Sequence, residues 1–129
     1  MKPETSAILI MVHGSPRPTA NTDMFRVVDI IRQRNLFPIV EVGFLECNEP
    51  SISQAIENCA EQGATNIHAV PYFLHTGTHV ALDLPALLEA GRKRHPDIRF
   101  RLGDFLGLSP FLTAILSERV QVALPTAYK

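Results

Sequence analysis

The sequence predicts an α/β fold built on an open, four-stranded parallel sheet in the order 2-1-3-4, and three observations carry that prediction. Short apolar runs alternate with segments of helical period along the whole chain. The first run, Ala7 to Val12, is apolar throughout and rich in β-branched residues, as suits a central strand covered on both faces. A polar residue stands just after each run. Parallel strands joined by right-handed crossovers place helices on both faces of such a sheet.

The elements follow in chain order. After the first strand, Thr22 to Arg34 sets Met24, Val27, Val28 and Ile31 on one helical stripe, and Pro38 prevents its continuation. Ile39 to Leu45 is the second strand. Ser51-Ile52-Ser53-Gln54 has the capping-box pattern, and Ile52, Ala55, Ile56, Cys59 and Ala60 line the apolar face of a second helix that stops at Gly63. Asn66 to Leu74 is the third strand. From His79 to Arg94, Leu84, Leu87, Leu88 and Gly91 share a stripe on a third helix, with Pro85 in its first turn. Ile98 to Leu102 alternates with Arg99 and Arg101 and reads as an edge strand; Ser109-Pro110 then starts a last helix bearing Leu112, Ile115 and Leu116. No repeat or low-complexity linker divides the chain, so residues 1–129 read as one domain.

Composition narrows the function classes. Hydrophobic residues make up 46% of the sequence and charged residues 19%, which excludes intrinsic disorder. The formal net charge of −1 offers no broad positive field for a nucleic acid or an anionic membrane. The apolar run Ala7 to Val12 falls far short of the roughly 18 residues that span a bilayer, and Lys2, Pro3 and Glu4 do not build a signal peptide. The expected compartment is the cytoplasm. Cys47 and Cys59 form neither a disulfide framework nor a C-x-x-C pair, so both are expected as thiols, with Cys59 in the core.

In open parallel sheets, ligands bind beyond the carboxyl ends of the strands, where the winding direction reverses. Here that point lies between strands one and three. The strand ends deliver His13-Gly14-Ser15, then Glu46, then His75 and His79, then Asp104. Topology alone therefore lets His13 approach one of the later histidines. Two neutral imidazoles beside a carboxylate suit Fe²⁺, Co²⁺, Ni²⁺ or Zn²⁺, yet are too few for a closed structural zinc site. His75-x-x-x-His79 would make an i, i+4 pair on a helix, but Gly77 between them predicts a turn. That leaves His79 near the helix start and His75 pointing elsewhere, with a role as third ligand or substrate contact as the lesser alternative. His68, inside a strand, and His95, before Pro96 at a helix end, are not candidates.

At this point the residues resemble a family. Val12-His13-Gly14-Ser15 after the first strand, Gly43-Phe44-Leu45-Glu46 with Pro50 after the second, Pro71-Tyr72-Phe73-Leu74, Gly77-x-His79-Val80, Asp83-Leu84-Pro85, Leu102-Gly103 and Ser109-Pro110 are similar to the small class II tetrapyrrole chelatases, the sirohydrochlorin cobalto- and ferrochelatases. The resemblance covers nearly the whole chain in order. It implies a flavodoxin-like chelatase fold, a metal-binding and catalytic pair in His13 and His79, and a homodimer. The chain departs from the family pattern at Pro16, where relatives commonly carry an arginine and this chain places Arg17 one residue later. It departs again at His75, a position often apolar or proline.

The implied reaction inserts a divalent metal substrate, Co²⁺, Fe²⁺ or Ni²⁺, into a sirohydrochlorin-type tetrapyrrole, in cobalamin or siroheme biosynthesis and without an organic cofactor. His13 and His79 would hold the ion above the ring, while one imidazole or Glu46 accepts a pyrrole proton. Anchors for the substrate's carboxylates are expected in the Gly14-Ser15 backbone, the hydroxyls of Ser15, Thr76 and Thr78 around Gly77, and Arg17; Phe44, Tyr72 and Phe73 offer a ring-facing wall, although core packing is the stronger reading of Phe44 and Phe73. Two competitors stand beside this reading. A histidine phosphatase also places His-Gly after a first strand, but with arginine immediately before the histidine; Val12 here offers no charge for phosphate. A non-catalytic metal or tetrapyrrole carrier is distinguished by turnover alone.

Overall fold

A computed structural model describes residues 3–123. Four parallel strands, β1 (Ser6–Val12), β2 (Ile39–Phe44), β3 (Asn66–Pro71) and β4 (Arg99–Leu102), form one sheet in the order β2-β1-β3-β4. Register is continuous across its centre: Leu9 pairs with Glu41 on one side and with Ala69 on the other. The expected class, strand order and switch point between β1 and β3 are all present.

The period-two alternation of the strands sends side chains into two cores. Ala7, Leu9 and Met11 of β1, with Ile67 and Ala69 of β3, pack under α2 (Ile52–Glu61) and α3 (Leu84–Arg94), where Ala55, Cys59, Leu84 and Leu88 are fully buried. Ile10, Val12, Val40, Val42 and Phe44 face the other way, against Met24 and Val28 of α1 (Pro18–Gln33). The capping box of α2 forms as expected: Gln54 N–H donates to Ser51 Oγ, and Ser51 N–H donates to Gln54 Oε1. Burial of Cys59 pushes its thiol up to about 12, with the Glu41 charge adding to the effect.

Several boundaries, the continuity of one helix and one packing expectation differ. The first helix begins at Pro18, not Thr22, because proline's missing N–H and fixed φ suit the first helical position. The second strand ends at Phe44, one residue short of Leu45, and the fourth begins at Arg99 rather than Ile98. The third strand ends at Pro71 rather than Leu74: Tyr72 still donates to Met11 O, but Phe73 turns away to accept from Leu106 N–H. The segment expected as one helix from His79 is two: a π-helical turn at His79–Asp83, then α3. Pro85 cannot donate to Ala81 O, and Leu84 N–H bonds five residues back, to His79 O.

The last helix, α4 (Pro110–Ala123), starts where Ser109-Pro110 predicts, with Phe111 N–H donating to Ser109 Oγ. Its expected stripe packs on nothing: no α4 residue is buried, and Ile115 and Leu116 are 47% and 64% exposed. Among the described residues, no helix is long and apolar enough to cross a membrane.

Candidate metal centre

β1 ends at the rim with His13, and the chain turns immediately through Gly14. That residue has φ +95, and a Cβ placed on it would lie 2.0 Å from Glu46 O. Glycine here lets the loop after β2 close against the loop after β1. Glu46 N–H donates to His13 O, and Asn48 Oδ1 accepts from Ser15 N–H at 2.8 Å, so the two loops are stitched together. Those bonds bring Glu46 Oε2 to 3.5 Å from His13 Nε2.

His79 arrives from the π-helical turn. Its ring centroid lies 5.0 Å from that of His13, with planes tilted by 50°. One ligand atom each from His13, Glu46 and His79 can be chosen so that all lie within 4.8 Å of one another. Two donors each about 2.1 Å from a tetrahedral ion stand about 3.4 Å apart, which matches the His13–Glu46 spacing. Three such donors would leave coordination positions open on an ion held there.

Both imidazoles are held in one tautomer. His13 Nδ1 lies 3.0 Å from Gly14 O, and His79 Nδ1 lies 2.6 Å from Asp83 Oδ2. A carbonyl and a carboxylate only accept, so Nδ1 of each ring carries a proton, and Nε2 is the atom that faces the cluster as the ligand of the neutral ring. His13 and Glu46 are exposed and His79 is half-buried, so the site is open to a large ligand.

The remaining expected site residues divide. His75, Thr76 and Thr78 are exposed on the loop leading to His79, with Gly77 half-buried among them; His75 does not join the ligand cluster, whose third member is Glu46. Arg17 is exposed at the start of α1 and forms no ion pair among the described residues. Asp104 also lies outside the cluster. Phe44 is 1% exposed and packs edge-on against Phe25 at 5.8 Å, because its position on β2 points it into the α1 core and away from the rim, so it forms no ring-facing wall. The Ser15 N–H is no free anchor, since Asn48 takes it; Ser15 Oγ accepts from Arg17 N–H and keeps its own O–H to donate.

Sequence reasoning missed two contributors, Asp83 and Asn48. The spacing His79-x-x-x-Asp83, one helical turn, was a signal for the first. For the second there was none, because its partner Ser15 is remote in sequence.

Comparison with known proteins decides the family. The family model described as CbiX matches residues 7–123. The chain belongs to the CbiX family. This CbiX-family chain is 32% identical over 128 residues to a sirohydrochlorin cobaltochelatase of Methanosarcina acetivorans, with 94% of the chain and 98% of that protein covered. It is 30% identical over 121 residues to a sirohydrochlorin cobaltochelatase of Priestia megaterium, where 94% of the chain spans only 39% of the relative. Among solved structures, the sirohydrochlorin chelatase SirB from Bacillus subtilis subspecies spizizenii in complex with cobalt superposes with a TM-score of 0.86 at 30% identity. There 92% of the chain covers 51% of the neighbour. The chain thus spans about half the length, or less, of several proteins it matches.

Proposed function

We propose that this chain inserts Co²⁺ or Fe²⁺ into a sirohydrochlorin-type tetrapyrrole, with the metal entering as a substrate and held by His13 and His79. The observation that carries the proposal is the pair of Nε2 ligand atoms on rings 5.0 Å apart, with a carboxylate oxygen 3.5 Å from one of them. Insertion requires the ion to shed water, the ring to pucker, and two pyrrole N–H protons to leave. Imidazole nitrogens replace the water ligands and then yield one by one to pyrrole nitrogens. Glu46, exposed beside His13, accepts one of the two protons, an imidazole released from the ion accepts the other, and both pass to solvent. Arg17, Thr76 and Thr78 stand on the adjoining loops and meet the substrate's carboxylates.

We propose further that one chain acts as a single domain and that two chains pair. α4 carries Phe111, Leu112, Ile115, Leu116, Val120 and Val122 on one half of its circumference, with Thr113, Ser117 and Gln121 on the other, and an apolar face of that width belongs against a covering surface. Leu74, Leu112, Ile115 and Leu116 line a groove of about 340 Å³ beside it. On β3, Asn66, His68 and Val70 are only half-buried on the sheet face that α1 covers elsewhere. A second copy would cover these surfaces and supply what the longer relatives carry in their additional length.

The test is an insertion assay with metal-free sirohydrochlorin and Co²⁺, Fe²⁺, Ni²⁺ and Zn²⁺ supplied separately. Loss of the free tetrapyrrole's absorbance through many turnovers per chain supports the enzyme. A plateau at one equivalent identifies a carrier instead.

A further inference from the structure

We infer that Asp83 is a positioning residue that holds His79 in the ligating tautomer and strengthens it as a metal ligand. The inference rests on the reading of His13, Glu46 and His79 as the metal site.

Asp83 stands where the π-helical turn runs straight into α3, with helical backbone angles of its own, and the first N–H of α3, that of Leu84, already bonds to His79 O. Its carboxylate therefore has no helix end to cap. It is turned onto His79 Nδ1 at 2.6 Å, four residues back, and that is its only side-chain bond among the described residues.

The geometry specifies the effect. A 2.6 Å contact between an N–H and a carboxylate is a short, charge-assisted hydrogen bond. It fixes the proton on Nδ1, limits rotation of the ring, and raises electron density at Nε2, the atom left for the ion. His13 is held more weakly, by the neutral carbonyl of Gly14 at 3.0 Å. The two ligands are thus unequal: His79 is the firmer one, and His13 the one that yields first to a pyrrole nitrogen. The π-helical turn places His79 and Asp83 at its two ends, so the local backbone and the hydrogen bond form one unit.

The experiment titrates Co²⁺ into the full-length wild type, Asp83→Ala, Asp83→Asn and His79→Ala, following the visible absorption of bound Co²⁺ and, in turnover, the KM for Co²⁺ and for the tetrapyrrole. Losing a carboxylate behind a ligating histidine typically weakens metal binding about 10–100-fold. Asp83→Ala is expected to show that loss, a changed Co²⁺ spectrum, and a raised KM for Co²⁺ with the tetrapyrrole KM unchanged. Asp83→Asn keeps an acceptor oxygen without the charge and should fall between. Metal-free melting temperatures should match the wild type, since the Asp83 carboxylate caps no helix. If both Asp83 variants bind Co²⁺ with wild-type affinity and spectrum while His79→Ala does not bind, Asp83 is idle and the inference fails with the site intact. If the Asp83 variants only melt earlier, the residue is structural and the inference also fails. If His79→Ala itself binds Co²⁺ like the wild type, the site reading fails and the inference with it.

Discussion

The imidazoles of His13 and His79 stand 5.0 Å apart, although one residue directly follows β1 and the other follows the loop beyond β3. The pairing β2-β1-β3 makes this meeting possible, because β1 and β3 are neighbours and their carboxyl ends share a rim. His13→Ala and His79→Ala are each expected to lower insertion at least 100-fold, with melting temperatures within a few degrees of the wild type. The double variant should be little worse than either single one, since residues that act as a unit are not additive. Steady-state insertion rates and thermal melts check both statements.

Glu46 has a separable contribution. Glu46→Gln keeps a neutral oxygen near His13 but cannot accept a proton, so kcat should fall by about 10²-fold, the lower range for general-base catalysis, with a smaller change in Co²⁺ affinity. Parallel measurement of kcat and of the Co²⁺ dissociation constant decides this; equal losses in both would make Glu46 a ligand only.

Gly14 and Gly63 offer a controlled comparison, because both have positive φ, +95 and +91. A Cβ at Gly63 meets nothing within 4 Å, whereas one at Gly14 lies 2.0 Å from Glu46 O. Gly63→Ala should cost about 1 kcal/mol, from backbone strain alone, and leave insertion unchanged. Gly14→Ala should cost more, about 2–4 kcal/mol once the displaced loop is included, and should abolish insertion because His13 and Glu46 separate. Urea denaturation and the insertion assay read the two effects.

Much of this architecture was legible in the sequence because periodicity and burial agree. β1 is apolar throughout and is covered on both faces, and the Ser51–Gln54 pattern became the capping box it predicted. The rim residues could be read from their positions after each strand. What could not be read was where side chains point once backbone details intervene. The alternation of β2 sends Phe44 inward, although it stands two residues before the exposed Glu46. Pro85, placed correctly in a first helical turn, also goes with a widened preceding turn, in which Leu84 N–H reaches back five residues to His79 O. The apolar stripe of α4 predicted burial, but a sequence does not say whether the covering surface belongs to the same chain.

The two thiols should behave oppositely. Cys47 is exposed, while Cys59 is buried with its thiol raised to about 12. A raised pKa keeps Cys59 protonated, and unreactive, at any pH below that value. Iodoacetamide at pH 8 should therefore modify one thiol per folded chain, assigned to Cys47 by peptide mass, and both thiols in denaturant. Labelling of Cys59 in the folded protein would contradict the packing under α2.

If α4 covers a second copy, the wild type should have twice the chain mass in solution by light scattering. Ile115→Asp, which puts a charge on the apolar face, should then yield a folded monomer. An unchanged mass would remove α4 from the interface.

The central claim is that His13, Glu46 and His79 gather one metal substrate at the rim. Diffraction from crystals of the Co²⁺-soaked protein, with anomalous signal collected at the cobalt edge, tests it most directly. The account predicts a single strong peak about 2.0–2.2 Å from Nε2 of both histidines and from a Glu46 oxygen. A peak on other residues, or none between these two rings at saturating Co²⁺, would contradict it.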